Sequence, residues 1–331
     1  FLCNSPKAKT SKLANHSLFG SRATKYRILS EEPPRLSYKP LHPRQPFFLF
    51  ETSGKEGEAL EYDSWPKLDE IMPFGGTGIK TNRDDFAVAF DDGTLLERMK
   101  IFGDASVSDD SAQKLLGLKE NYTWKIPKQR QAFRDDNDQD RIRPVQYRPF
   151  DTRRIYYQNN VVYNPRFETM SHARSDNLFL LACRQQYETG FRHAFVTREM
   201  FECCLVSNKS REITSGFPLF LCAEGGEKGD LFDSPARKIN LSIDYLNGLR
   251  DRLGVSINDT DPATEGEIIF GEDVLGYIYG VLCSPSFRVR YAESLKLDFP
   301  RIPWPNSLAL FREISGLGSA LVRAHLLEMV T

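Results

Sequence analysis

The sequence predicts an α+β fold, a mixed strand-rich domain followed by a small helical C-terminal domain. Three observations carry this. Short apolar runs punctuated by Gly and Asn crowd the stretch between Gln146 and Leu221, the pattern of buried strands. From Ser242 onward the apolar residues recur at helical spacing instead. No internal repeat breaks this order, and no run of about 18 uninterrupted apolar residues offers a membrane span.

Taken in order, residues 1 to about 30 are Lys/Ser-rich with short apolar pieces. Pro33, Pro34, Pro40, Pro43 and Pro46 impose an extended connector before the strand-like Phe47-Phe48-Leu49-Phe50, and residues 54–57 form a hairpin or loop tip. A weak helical pattern over residues 65–72 runs into the turn Pro73-Phe74-Gly75-Gly76-Thr77-Gly78. Phe86-Ala87-Val88-Ala89-Phe90 reads as a buried strand closed by Asp91-Asp92-Gly93. Thr94 or Asp92 then caps a helix through Leu95, Leu96, Met99 and Phe102. An acidic loop over residues 104–112 leads into a short helix at residues 112–118. Strands follow at residues 155–157, 178–182, 194–196 and 217–221, then a polar, Gly-rich loop at residues 224–229. In the helical part, Ser242 caps a run with Ile243, Leu246, Leu249 and Leu253 on one face, stopped by Gly254. A second helix carries Val274, Leu275, Ile278, Val281 and Leu282, and Ser284-Pro285 opens a third. After the rigid Phe299-Pro300-Arg301-Ile302-Pro303-Trp304-Pro305, a final helix places Leu310, Phe311, Ile314, Leu317, Leu321, Leu326 and Leu327.

The composition is that of a globular chain, 40% hydrophobic and 27% charged, with a net charge of −1. The N-terminus lacks an initiator Met and the charged-then-apolar pattern of a secretory signal, and reads as part of a longer protein. None of the six cysteines falls in a CxxC pair, and most lie in apolar runs, which fits buried free thiols in a reducing cytoplasm and gives no zinc site. The near-neutral sum hides an uneven distribution. Acids lead from Asp104 to Asp140, including Asp135, Asp136, Asp138 and Asp140. Between Arg141 and Arg211 twelve Lys/Arg face six acids, and eleven of the twelve are Arg, the side chain suited to bidentate recognition of phosphate and guanine.

Phe74-Gly75-Gly76-Thr77-Gly78 matches the F-x-G-x-G loop that binds S-adenosylmethionine in DNA methyltransferases. Its context disagrees, because such a loop ends a parallel strand and opens a helix, whereas Met72-Pro73 precedes it and a polar run follows. The companion N/D-P-P-Y/F tetrapeptide is absent, so a structural or DNA-contacting turn is the expected role. Phosphate loops, G-x-S-x-G elbows and H-E-x-x-H motifs are also missing, the five histidines share no spacing, and Asp151 with Glu168 lacks the nuclease P-D…E/D-x-K pattern. The stronger constellation is the interleaving Tyr147-Arg148-Pro149-Phe150-Asp151-Thr152-Arg153-Arg154-Ile155-Tyr156-Tyr157, followed by Arg184-Gln185-Gln186 at a strand end. Arg to guanine and Gln to adenine are favoured major-groove contacts. Internal ion pairs of Arg148, Asp151 and Arg153 at a domain seam account for the same residues, and both readings stay open.

Six pieces occur in register from about residue 16 to the end: Gly20-Ser21-Arg22-Ala23-Thr24-Lys25-Tyr26; Gly78-Ile79-Lys80-Thr81-Asn82-Arg83-Asp84; Tyr147-Arg148-Pro149-Phe150-Asp151-Thr152-Arg153; Asn177-Leu178 through Arg184-Gln185; Gly276-Tyr277-Ile278-Tyr279-Gly280-Val281-Leu282-Cys283-Ser284-Pro285; and Arg290-Tyr291 to Phe299-Pro300-Arg301-Ile302-Pro303. Together they resemble the C-terminal specificity region of Type ISP single-polypeptide restriction–modification enzymes. The resemblance implies a larger bacterial, cytoplasmic enzyme with nuclease, ATPase, adenine-N6 methyltransferase and target-recognition parts. S-adenosylmethionine, ATP and Mg would serve the full-length enzyme, with no cofactor, metal or catalytic residue in this chain. Residues 1–30 would be the tail of the methyltransferase domain or a linker, residues 31–240 a mixed α/β target-recognition domain, and residues 241–331 a helical C-terminal subdomain. The implied partners are double-stranded DNA and the upstream methyltransferase domain, with no membrane.

In that picture Lys80, Thr81 and Arg83 lie on a loop facing the target. Arg148, Arg153, Arg154, Tyr156 and Arg166 are candidate phosphate or base contacts, with Arg184, Gln185 and Gln186 second in line. Base-reading positions are expected in the loops at residues 158–164, 198–200 and 208–214. Two rival readings stand beside sequence-specific DNA binding. One is a fragment that still binds S-adenosylmethionine and methylates. The other is a docking module without DNA affinity, which an exposed apolar face on the last helix, with Arg153, Arg154 and Arg184 buried in ion pairs, would favour.

Overall fold

The computed structural model describes residues 13–16, 18, 21–31, 38–41, 61–136, 141–187, 190–209, 212–222, 237–257 and 268–328. The strand expected at residues 47–50, the tip at 54–57, the loop at 224–229 and the acids Asp138 and Asp140 lie outside them. The chain divides into two compact units, Phe1–Ala59 and Leu60–Thr331. In the first, β1 (Leu13–Asn15) pairs antiparallel with β2 (Lys39–Leu41). Its helix α1 (Arg22–Leu29) is capped by Ser21, whose hydroxyl accepts from the Thr24 N–H at 3.2 Å.

The second unit is built on two four-stranded sheets, and the described elements fall into the α+β class. One sheet has the order β3-β10-β7-β8, from β3 (Gly76–Thr77), β10 (Thr214–Pro218), β7 (Phe179–Cys183) and β8 (Ala194–Thr197), all antiparallel. The other has the order β4-β6-β5-β9, from β4 (Val88–Ala89), β6 (Asp151–Tyr156), β5 (Ile142–Arg148) and β9 (Met200–Phe201), with β5 and β9 parallel. Every residue of β7 is buried. Phe179 and Leu181 enter a core with Val145, Ile155, Met200 and Phe201, while Leu180 and Ala182 enter a second core with Leu275, Ile278 and Leu282. β8 alternates likewise, Phe195 to the first core and Val196 to the second. Period-two alternation with both faces covered is why these strands read as unbroken apolar runs.

The first core is closed by helices that local capping sets. α2 (Leu68–Ile71) precedes the glycine turn. Residues 86–90 differ from the expected strand. Asp84 and Asp85 open a helical turn, α3 (Asp84–Ala87), before β4, and Phe90 is 75% exposed. The next helix, α4 (Asp92–Gly103), is capped by Asp91, one residue before the expected cap, with its carboxylate accepting from the Thr94 N–H at 2.8 Å. α5 (Asp109–Leu116) starts earlier than expected because Ser108 caps it, and Gly117 ends it at φ 61°. A helix absent from the sequence expectation, α6 (Ile126–Asp135), turns Arg130 inward, where it is 2% exposed and bonded to Asp109 and to the carbonyls of Phe102 and Asp104. A cation in an inward position conceals the helical period.

After α7 (Phe167–Met170), β11 (Phe220–Cys222) pairs with β12 (Arg237–Ile239), and the helical part begins. Ser242 and Gly254 bound α8 (Ile243–Leu253) as the sequence predicts, and the parallel pair β13 (Ser256–Ile257) and β14 (Ile268–Ile269) leads to α9 (Gly271–Cys283). Ser284 caps α10 (Pro285–Arg290), and α11 (Leu308–His325) closes the fold. The buried stripe of α11 is Phe311, Ser315, Gly318 and Val322, whereas Leu310, Leu317 and Leu321 remain 39%, 62% and 36% exposed. The reason is the approach of α9. A Cβ on Gly318 would fall 1.8 Å from the Gly276 carbonyl oxygen, and one on Gly280 would fall 2.7 Å from that of Ile314. Among the described residues no helix is long and apolar enough to cross a membrane.

Two glycines on α11 therefore predict opposite outcomes. Gly318→Leu overpacks the α9–α11 crossing and should cost about 2 kcal/mol or more, whereas Gly316→Ala, which meets nothing within 4 Å, should gain about 0.5–1 kcal/mol of helix propensity. Urea midpoints at constant slope measure both. Equal shifts of one sign would show that the crossing is not backbone-tight.

Candidate nucleic-acid interface

The glycine turn seats the chain against itself. β3 pairs with β10 through Gly76 to Gly216 and Thr77 to Ser215. A Cβ on Gly76 would fall 1.9 Å from the Thr169 hydroxyl oxygen, and one on Gly78 would fall 2.7 Å from the Cys203 nitrogen. Asn240 ties the turn down, accepting from the Phe74 N–H at 3.0 Å and donating to the Phe74 carbonyl at 2.7 Å. An S-adenosylmethionine loop needs a parallel strand end that opens a helix; this turn feeds an antiparallel edge strand, and the Cβ directions of Gly76 and Gly78 run into Thr169 and Cys203. The residues do not fit that cofactor.

Beyond the turn, Lys80 exchanges both backbone hydrogen bonds with Asn164, at 3.0 and 2.9 Å, and the Tyr163 N–H donates to the Thr81 carbonyl at 3.2 Å. Asn164 in turn lines a cleft of about 470 Å³, whose walls also include Gly75, Gly76, Asn159, Arg166, Phe167 and Glu168. Lys80 is exposed, with its ammonium 5.9 Å from the Tyr163 ring centre. Arg166 is held at φ 57° as the residue before α7, is exposed, and makes no ion pair among the described residues. Lys80 and Arg166 are thus exposed sequence-nominated cations without an ion pair among the described residues, Arg166 in the cleft wall and Lys80 on the segment bonded to Asn164.

Three other nominees are buried and take structural roles in place of direct contact. Thr81 is 1% exposed and donates to Asp84, which also accepts from the Tyr147 hydroxyl at 2.6 Å. Burial, together with that bond to Asp84, pushes the Tyr147 hydroxyl up to about 12. Tyr156 is 4% exposed and packs on Phe133. Arg83 is 8% exposed with its guanidinium 3.6 Å from the Trp124 ring centre, and its Nε and Nη1 have no hydrogen-bond partner among the described residues. Burial lowers it to about 10, which leaves it cationic at neutral pH below the Tyr163 loop.

The remaining arginines are ion-paired. Arg148 donates to the buried Glu202 at 2.7 Å and lies over the Tyr147 ring. Arg153 donates twice to Asp151, at 3.0 and 2.8 Å, between the rings of Phe90 and Tyr147. Arg154 pairs with Asp92, and Arg184 with Asp298 at 2.8 Å. Gln186 donates to the Leu295 carbonyl at 2.7 Å, and Gln185 is exposed. Arg192, which the sequence reading did not single out, is also exposed. Of the expected base-reading loops, the one at residues 158–164 contributes Asn159 and Asn164 to the cleft wall; residues 210 and 211 of the last one lie outside the described residues.

The family model for the Type ISP C-terminal specificity domain matches residues 70–330. The chain belongs to this family. No curated protein matches it. Solved structures share the fold of this specificity domain. The cryoEM DrdV–DNA complex superposes with a TM-score of 0.62 at 17% identity, over 96% of this chain and 31% of that one. The ATP-dependent Type ISP restriction–modification enzyme LlaBIII, bound to DNA, gives 0.60 at 18% identity over 87% of this chain and 18% of that one. A nuclease-deletion mutant of the Type ISP enzyme LlaGI, with a DNA substrate mimic, gives 0.58 at 18% over 97% and 28%. The specificity domain thus spans less than a third of the length of each.

One buried carboxylate, in the wall of a separate cavity, makes a pH-dependent prediction. Burial alone would raise Glu212, but donors from Ser207, the Tyr187 N–H and His193 outweigh it and hold the carboxyl at about 2. A depressed folded value contributes stability that is full above the ordinary 4.5 and is lost as pH falls through about 2. Glu212→Gln should therefore destabilise the specificity domain by about 1–3 kcal/mol at neutral pH, with the gap to the parent narrowing on acidification. Urea unfolding across pH reads it; a gap independent of pH would mean that the charge is not what the site holds.

Proposed function

We propose that this specificity domain reads duplex DNA sequence for a restriction–modification enzyme, whose adenine-N6 methylation and cleavage are performed by domains outside this chain. The observation that carries the reading is the placement of Lys80 and Arg166, exposed and without acidic partners among the described residues, beside a polar cleft. Lysine and arginine fix phosphates, and the Asn159 and Asn164 side chains in the cleft wall are of the type that pairs with adenine edges. Arg83 adds a fixed positive field from beneath. The family match supports the reading, as do the DNA-bound relatives. S-adenosylmethionine, ATP and Mg would serve the other domains. On an adenine extruded from the duplex, the methyltransferase part would do the chemistry while this part holds the flanking bases.

The docking reading has its own specific observation. Leu317 is 62% exposed on α11, while Arg153, Arg154 and Arg184 sit in ion pairs. In that reading α11 covers the methyltransferase domain and the chain has no DNA affinity of its own.

Selection from a randomised duplex pool at near-physiological salt separates the two. We expect a defined, asymmetric motif containing an adenine. The double variant Lys80→Ala/Arg166→Ala should lose about tenfold or more in affinity, and its salt slope should fall by about 2, since each phosphate contact contributes about 0.9. Recovery of no motif, with an unchanged salt slope in the double variant, sinks the DNA reading for the isolated chain. Leu317→Asp would then be the variant that abolishes docking.

A further inference from the structure

Away from the cleft, Glu202, Cys203 and Cys204 gather three reactive side chains on one turn, with their donor atoms within 4.8 Å of one another. The Cys203 and Cys204 sulfurs are 3.7 Å apart. Cys203 is buried and its S–H donates to the Glu202 carboxylate at 3.1 Å. Cys204 is half-buried and lines a separate cavity of about 440 Å³ together with Arg148, Arg192 and Lys209. The turn is fixed from several sides. The Cys203 N–H donates to the Ile79 carbonyl at 2.8 Å, the Cys203 carbonyl accepts from Thr214 at 2.8 Å, and the Cys204 N–H donates to Glu202 at 2.7 Å. The two thiols are therefore unequal, one accessible from a cation-lined cavity and the other packed behind it.

We propose that Cys203 and Cys204 form a hydroperoxide-sensitive dithiol that closes to an intramolecular disulfide beside the Arg148–Glu202 ion pair. Cys204 is the attacking sulfur, because it lines the cavity together with Arg148, whereas Cys203 is buried with its S–H committed to Glu202. Its thiolate attacks one peroxide oxygen. The S–O bond forms, the O–O bond breaks, and hydroxide leaves and takes up a proton to give water. The sulfur, oxidised by two electrons, is now a sulfenic acid. Cys203 then gives its proton by way of Glu202 to the departing oxygen, its sulfur attacks Cys204, the S–S bond forms and the S–O bond breaks with release of a second water. In sum, two thiols and one hydrogen peroxide yield one disulfide and two waters. Closure removes the S–H donor from Glu202, the carboxylate that holds Arg148.

The test treats the reduced full chain with hydrogen peroxide at equimolar ratio and maps the tryptic peptide 199–209, which contains both thiols and no other cysteine. The expected product is this peptide lighter by two hydrogens and closed to alkylation at both sulfurs. Cys203→Ser should instead trap the sulfenic acid on Cys204, labelled by dimedone, and Cys204→Ser should suppress reaction at this peptide. A peptide left unaltered while Cys222 or Cys283 oxidises overturns the proposal. So does a dimedone adduct in the parent chain without loss of two hydrogens, or a disulfide joining this peptide to another cysteine. The readout on the parent chain decides the matter even if a serine variant fails to fold.

Discussion

The constraint on which the rest of this structure depends is that the β3-β10-β7-β8 sheet is covered on both faces. Phe179 to Ala182 of β7 alternate between the two cores, and the alternation leaves no position among them for a polar residue. A one-residue slip of register would send Phe179 and Leu181 into the space shaped for Leu180 and Ala182. Each buried aliphatic side chain contributes about 1.5–3 kcal/mol, so register is strongly specified. The edge strand β3 inherits this rigidity through β10, and with it the Lys80 segment and the cleft.

The helical side of the same sheet is set by backbone proximity more than by large side chains. Gly276, Gly280 and Gly318 let α9 and α11 approach until main chain meets main chain, and Ser315 donates to the Asp273 carbonyl at 2.7 Å across the contact. Because small residues occupy the inward stripe, the leucines of α11 are turned outward. An apolar surface follows from the packing geometry, independent of whether a partner uses it.

Charge is partitioned by burial of the acidic partner. Arg153 and Arg154 pair with carboxylates that are 28% and 52% exposed, and such pairs contribute about 0–1 kcal/mol, small enough to be exchanged for a phosphate. Arg148 pairs with Glu202, whose side chain is 6% exposed, and withdrawing it would strand a buried carboxylate. Its place in the family motif is therefore explained by folding. Lys80 and Arg166 differ from all of these in having no acid to leave among the described residues.

The sequence by itself determined the class of the fold and the places where elements stop. Ser242, Gly254, Ser284 and Pro285 act through hydrogen bonds and dihedral preferences a few residues long, and the runs at Leu178 and Ala194 carry strand periodicity in full. In-register motifs made the family legible as well. What only the tertiary structure decided is which charges are free and which faces are spent. Lys80 and Arg166 are 86 positions apart, and the first is brought toward the segment of the second because Lys80 pairs with Asn164. Arg130 is buried in a helix whose period its charge disguises, and Thr81, Arg83 and Tyr156, polar in sequence, lie inside. Local propensity extends over a turn of helix or strand, whereas burial and ion pairing depend on residues far away in the chain.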